Sequence, residues 1–477
     1  MLFPSHNSAS RCVDFIYASV PGLESRAVRF IDFVRVSRSS NTDTVPELHF
    51  SAVIYPEQYL KVAKIFWQHT GEGVSSRRAA HCKEMYGEGF LSISATSALL
   101  QRQCKGPKRY RRIHSDEHLA SFRVLMPTAG NHKRNDGETE KNDRARFVEE
   151  RFGRNFNMDD SSEAKMAIKQ RISGSLTTDV GSTEGPDSLA DNLRTQDDAV
   201  LSVDDVYLYP CGMNSIFNTH RTLMIARGQN LKSICFGFPY VDTLKILEKF
   251  GPGVLFYGNG SSEDLDDLEK RLENGEKYLA LFCEFPSNPL LQTPDIHRIK
   301  RLAQSFKFAV VIDETIGNFL NVHVLPFADV LVSSLTKIFS GESNVMGGSA
   351  ILNPAGAYYD LLKKAWAAEY EDIYWHEDAV YMERNSRDFA SRNERINRNA
   401  EAICDVLKRS AFVKEVYYPK LNPSRSFYDQ CRTKNGGYGG LVSATFYLTL
   451  EAGVFFEIWI PRKAQALEPI SHWLRRT

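Results

Sequence analysis

Several features that make a chain's function easy to read are scarce here. Charge of one sign is one of them: 59 Lys+Arg stand against 59 Asp+Glu, a formal net charge of zero. Nothing in that balance argues for a nucleic acid or an anionic membrane as partner. The local basic run Lys105–Arg112 (KGPKRYRR) reads as a solvated loop, the ordinary state of such runs. Cysteine is sparse, eight in 477 residues. No C-x-x-C occurs, which excludes the usual spacing of a structural zinc or a thioredoxin-like centre. Cys211, Cys235 and Cys283 lie in apolar contexts and read as buried free thiols, in keeping with a reducing, cytoplasmic setting. No run of about 18 apolar residues is present to span a membrane. The start, MLFPSHNSASRC, lacks the basic-then-apolar build of a secretory signal. No G-x-G-x-x-G follows a strand, so a Rossmann oxidoreductase has little support. There is no internal repeat.

What is present is a chain 42% hydrophobic, long enough for two or three domains. Residues 1–126 mix short apolar runs with polar breaks. Phe30–Val36 and His49–Tyr55 predict strands and Pro56–His69 a helix, with no chemistry-bearing motif among them. Residues 127–146 are polar, charged and nearly devoid of apolar side chains. Such a segment cannot bury enough surface to offset its ordering entropy and reads as a linker or loop. Thr178–Asp198 is a second loop-like stretch. From about 203 to 354 the pattern changes. The apolar runs Leu231–Phe236, Tyr278–Phe285, Phe308–Asp313, Val330–Ser333 and Ser349–Leu352 alternate with helical spacing at Val241–Phe250, Leu265–Asn274 and Pro294–Phe306. This alternation predicts an α/β domain with a mainly parallel sheet. Functional groups then belong at strand ends. Glu377–Arg409 reads as helical, and Val413–Tyr418 and Gly440–Leu448 as strands of a smaller α+β domain. The expected division is an N-terminal region 1–126, a linker 127–146, a large α/β domain 147–385 and a small domain 386–477.

Four strand ends carry candidate chemistry. Val330–Gly341 (VLVSSLTKIFSG) places Lys337 just after a buried strand, where an ammonium is costly unless paired or neutralised. An amine that attacks a carbonyl needs such a place, because a lowered pKa supplies free base. The hydroxyls of Ser334 and Thr336 suit a phosphate beside it. A surface lysine after a strand would give the same pattern. Phe308–Thr315 (FAVVIDET) ends an apolar run in Asp313, which needs a cationic or hydrogen-bonding partner. A pyridinium nitrogen would serve, and so would a helix start or a metal ion. Tyr207–Ser215 (YLYPCGMNS) puts Gly212 at the start of a helix, where backbone N–H groups can meet an anion. Leu281–Leu291 (LFCEFPSNPLL) ends a strand in Glu284 and presents Asn288 in a turn. That amide can face a phenolic oxygen on a ring, or the stretch is a plain Pro-Asn-Pro turn. Gly212, Tyr240, Asn288, Asp313 and Lys337 fall in order at the ends of successive α/β units, an arrangement more telling than any one of them.

On these residues the stretch from about 150 to 445 resembles the Cys/Met-metabolism family of pyridoxal-phosphate (PLP) enzymes, of fold type I. VEERFGRN, DDVYLYPCGMNSIFNTHR, FGFPYVDTLKI, SNVMGGSAILNP and YYPKLNPS look most like its fungal cystathionine γ-synthase members. FPSHNSASRCVDFI and FWQHTGEGVSSR carry the same likeness at the N-terminus. The resemblance implies PLP as cofactor, bound through Lys337, with Asp313 on the ring nitrogen and Asn288 on its phenolic oxygen. Tyr240 would stack on the ring and assist proton transfer. Gly212 and Met213 would donate N–H groups to the phosphate, with Ser334 and Thr336 adding hydroxyls and Arg154 reaching the phosphate of a neighbouring subunit in a homodimer or homotetramer. The implied reaction is γ-replacement: an activated homoserine ester and cysteine give cystathionine, a transsulfuration step toward methionine. A cystathionine lyase, an O-acetylhomoserine sulfhydrylase and a non-catalytic protein on the same scaffold remain alternatives. The sequence departs from the family at Phe152, where a phosphate-binding tyrosine is usual, and at its abrupt start. It also departs after Tyr447, where the arginine that clamps the substrate carboxylate is not found. Arg462, Arg475 and Arg476 lie in the wrong context. A frame shift, a mis-predicted intron or a truncation would each produce such an end.

Overall fold

The computed structural model describes residues 1–35, 49–94, 159–174, 201–228, 230–449 and 452–453. The basic run 105–112, the linker 127–146, the stretch 178–198, Phe152, Arg154 and the C-terminal arginines lie outside them. The chain divides into two compact units, residues 1–166 with 373–380, and residues 167–372 with 381–477.

In the first unit, strands β1 (Leu2–Phe3), β2 (Arg29–Arg35), β3 (His49–Ile54) and β4 (Leu91–Ile93) form an antiparallel sheet in the order β1-β3-β2-β4. In β2, Ile31 and Phe33 are buried while their neighbours are less so, the period-2 pattern of a one-sided sheet. Phe33 pairs in register with Phe50 of β3, and their rings stack 4.5 Å apart. Cys82, Leu91 and Trp375 complete this core. The helix His6–Ser19 is capped by Ser5, whose hydroxyl accepts from the Ser8 N–H at 3.2 Å; this satisfies one of the donors that a helix start leaves open.

The second unit is built on seven strands. They are β5 (Val206–Tyr209), β6 (Ser233–Phe236), β7 (Val254–Tyr257), β8 (Ala280–Glu284), β9 (Ala309–Asp313), β10 (Val330–Ser334) and β11 (Gly348–Leu352), in the order β5-β11-β10-β9-β8-β6-β7. β10, β9, β8, β6 and β7 run parallel to one another, and β11 is antiparallel to both β10 and β5. The sheet is therefore mixed but mostly parallel, the α/β architecture expected. Parallel neighbours need crossovers, supplied here by the helices Val241–Lys249, Ser262–Glu273 and Ile296–Phe306. Phe282, Val311, Val330, Val332 and Ala350 pack with Ile216, Phe217 and Trp366 into one core, so the central strands are apolar almost throughout. The ends of β6, β8, β9 and β10 and the start of the reversed β11 thus share one edge. A separate two-stranded sheet pairs β12 (Val413–Tyr417) with β13 (Ser443–Phe446). Among the described residues no helix is long and apolar enough to cross a membrane.

Cys235 and Cys283 are buried free thiols as expected, but Cys211 is only partly buried. It occupies the cap position before the helix Gly212–Arg227 and not a strand interior, so its surroundings are the open edge of the sheet.

Candidate active site

The eight expected site residues that the structure describes all fall along that strand-end edge of the second unit. Gly212 and Met213 are the first two residues of the helix Gly212–Arg227. Their N–H groups have no acceptor within the helix, that of Met213 meeting the Cys211 sulfur just before it, and the helix dipole adds positive potential there. Gly212 is pressed against β10: a side-chain carbon built on it would stand 2.7 Å from Ser334 Cβ. A side chain at Gly348 would likewise run into the Cys211 carbonyl. Both positions demand glycine because main chains meet there. The result is a backbone cradle with the Ser334 hydroxyl beside it, unbonded among the described residues.

Asp313 closes β9. Its Oδ1 accepts from the Thr315 N–H at 2.9 Å and from the Thr315 hydroxyl at 2.6 Å. The same hydroxyl oxygen accepts from the Ser334 N–H at 2.8 Å. Thr315 therefore fixes one carboxylate oxygen and ties β9 to the end of β10. Oδ2 has no hydrogen-bond partner among the described residues. Burial raises the Asp313 pKa, and the Thr315 bonds oppose the rise. A nearby cation would reverse it.

Glu284, directly opposite Asp313 in the β8–β9 register, is buried. One of its oxygens accepts from the Tyr240 N–H and the other from the Asn288 N–H at 3.1 Å. Burial and then the Asp313 charge push its pKa up to about 8, against the two N–H bonds. Glu284, Asp313 and Thr243 line one recess with Ile216, Pro239 and Val332. Tyr240 precedes the helix Val241–Lys249 and is partly exposed. Desolvation, followed by Asp242, pushes its phenol up to about 12, so it is a neutral hydroxyl near pH 7.

Lys337 lies in the turn after β10. Its N–H donates to the Ser334 carbonyl at 3.4 Å, and its carbonyl accepts from Gly341 at 2.8 Å. The side chain is solvent-exposed in the single chain, more open than the desolvated pocket expected. The surrounding protein still lowers its pKa by desolvation, an effect that solvent access keeps modest. Among the described residues nothing forms an ion pair or hydrogen bond with Nζ. Arg392 pins the following turn, donating to the carbonyls of Ile338 at 3.3 Å and Phe339 at 2.8 Å. The Thr336 hydroxyl is engaged with the main chain of Gly347 at 3.1 and 3.3 Å. A nucleophilic amine, a carboxylate oxygen and an anion cradle thus lie along the same edge.

Residues 189–455 match the Cys/Met metabolism PLP-dependent enzyme family. The chain belongs to that family. Residues 1–75 match the N-terminal domain of fungal trans-sulfuration enzymes. The chain is 48% identical to a cystathionine γ-synthase of Neurospora crassa over 96% of its own length and 76% of that protein. It is 37% identical to a cystathionine γ-synthase-like enzyme of Amanita muscaria, covering 96% and 75% of the two chains. It is 34% identical to the cystathionine γ-synthase of Saccharomyces cerevisiae, covering 96% and 78%.

As a member of this family the protein is a PLP-dependent enzyme of fold type I. The residues present fit the cofactor. The Gly212 cradle has no room for a side chain and offers N–H donors to a phosphate, Oδ2 of Asp313 is unused, and Lys337 Nζ is unpaired. Sequence reasoning singled out these groups but missed Thr315, Arg392 and the part played by Glu284. The Asp-x-Thr spacing at Asp313–Thr315 was a usable signal, since a hydroxyl two residues on commonly bonds back to such a carboxylate. Nothing local marks Arg392.

Proposed function

We propose that this chain catalyses γ-replacement, joining an activated homoserine ester to cysteine to give cystathionine. The observation that carries this reading is the 48% identity to the Neurospora crassa cystathionine γ-synthase over 96% of the chain, with Lys337, Asp313, Gly212 and Ser334 on one strand-end edge. Bound PLP supplies an electron sink for the pair left when a substrate C–H bond breaks. Asp313 Oδ2 holds the proton on the ring nitrogen. Lys337 would hold the cofactor through Nζ, and its free amine would take the Cα proton and move protons between Cα and its neighbours; its lowered pKa increases the free-base fraction. Met213, Gly212 and Ser334 bind the phosphate, and Asn288 faces the phenolic oxygen. Tyr240, a neutral phenol, would stack on the ring. Thr336 acts through Gly347 and holds the turn that carries Lys337. The Cγ–O bond breaks and the acyloxy group leaves as its free carboxylate, and the cysteine sulfur, having given up its proton, bonds to Cγ.

The test offers the purified protein, loaded with PLP, three sets of substrates. O-acetyl- or O-succinylhomoserine with cysteine should give cystathionine. Homocysteine formed from the same ester and sulfide at a higher rate would mark a sulfhydrylase, and breakdown of cystathionine alone a lyase. Colour without turnover in any set would mark a non-catalytic chain. The same family likeness supports a cytoplasmic homodimer or homotetramer in which Arg154 reaches a neighbouring subunit's phosphate. Sedimentation of the wild type and of Arg154→Ala, with PLP retention measured alongside, tests that arrangement.

A further inference from the structure

We propose that Glu284 is a positioning residue, its carboxylate holding the loops that carry Tyr240 and Asn288 in register with Asp313. The two loops follow different strands, β6 and β8, and their N–H groups at Tyr240 and Asn288 both turn toward this one side chain. A carboxylate is the side chain that can take one N–H on each of two oxygens. Glutamine would present an NH2 to one of the two donors, and aspartate is one methylene shorter. Glu284 is buried and stands beside a second carboxylate, Asp313. Two acidic groups in one recess are costly, and an apolar residue here would cost the strand less. The bonds to Tyr240 and Asn288 are the return on that cost. They fix the wall and the amide that face the cofactor ring relative to the group that holds its nitrogen. The inference rests on the cofactor site alone and is independent of which amino-acid substrate reacts.

The experiment compares wild type with Glu284→Gln and Glu284→Ala in the full chain. The readouts are the PLP dissociation constant of the cofactor-free protein, the circular dichroism of the cofactor's visible band, and the Tm of the cofactor-free protein. One lost N–H bond in Glu284→Gln should weaken PLP binding by about 10-fold, and both in Glu284→Ala by about 100-fold, on the usual cost of leaving a buried donor without its partner. The visible dichroism should change in both, because the ring's seating changes. The Tm of Glu284→Gln should not fall. PLP affinity and dichroism equal to wild type in Glu284→Gln would overturn the proposal. So would failure of Glu284→Gln to fold, since the role would then be general stability. Failure of the γ-replacement reading shows separately, as lack of cystathionine formation by the unaltered chain.

Discussion

Gly212 and Ser334 stand so close that the first carbon of any side chain on Gly212 would lie 2.7 Å from Ser334 Cβ. This contact joins the start of the helix Gly212–Arg227 to the end of β10, beside the N–H groups proposed to seat the phosphate. In Gly212→Ala one of the two must move. Overpacking at such a site destabilises by about 1–3 kcal/mol, and PLP affinity should fall at least tenfold as the N–H groups shift. Thermal melts and PLP titration of the variant check both. Ser334→Ala, which removes a hydroxyl and no backbone, should cost less in each.

Asp313 is the residue whose loss should harm chemistry more than folding. Asp313→Asn keeps the acceptor that Thr315 uses but removes the charge from Oδ2. Turnover should drop by about 100-fold or more, in the range of a lost acid–base group, while Tm holds or rises because a buried carboxylate is gone. Steady-state kinetics with PLP in excess, set beside a thermal melt, separates the two effects.

Thr315→Val removes the hydroxyl that bridges Asp313 and the Ser334 N–H. A partly buried N–H loses its partner and a carboxylate oxygen loses one of its two, so stability should fall by about 1–3 kcal/mol. Denaturant unfolding of the cofactor-free protein measures it.

Lys337→Ala should leave the fold intact, because Nζ makes no bond to the described residues, and should abolish both the visible band and turnover. A spectrum after gel filtration, with a melt of the same sample, checks this.

The Glu284–Asp313 pair gives a pH dependence with a definite sign. The folded-state pKa of Glu284 is raised from 4.5 to about 8, and burial raises Asp313 in the same direction. Between those values the folded protein binds more protons than the unfolded chain, so unfolding free energy falls as pH rises. The stability is present in full near pH 4.5 and is lost by about pH 8. The Tm of the cofactor-free protein should therefore decline across this window, and the decline should be smaller in Glu284→Gln.

The central strands were readable from the chain because both their faces are covered, so Ala280–Glu284, Ala309–Asp313 and Val330–Ser334 stand out as apolar runs. Val254–Tyr257 (VLFY) is an equally apolar run but escaped notice: it is only four residues long, and at the edge of the sheet three of its four side chains stay partly exposed. Val206–Tyr209 was noticed only as the approach to Gly212. The exposure of Lys337 and the partial burial of Cys211 depend on where the sheet edge opens, which local composition does not encode.

The sequence by itself determined the order of the α/β units, the lysine, carboxylate and glycine at their ends, and through these the family. Only the tertiary structure decided that Glu284 faces Asp313, that Thr315 joins Asp313 to Ser334, and that Gly212 meets Ser334 carbon to carbon. Strand character follows from which side chains are apolar, a property of each segment alone. These contacts follow from the pairing register and the crossover of distant segments, which no single segment carries.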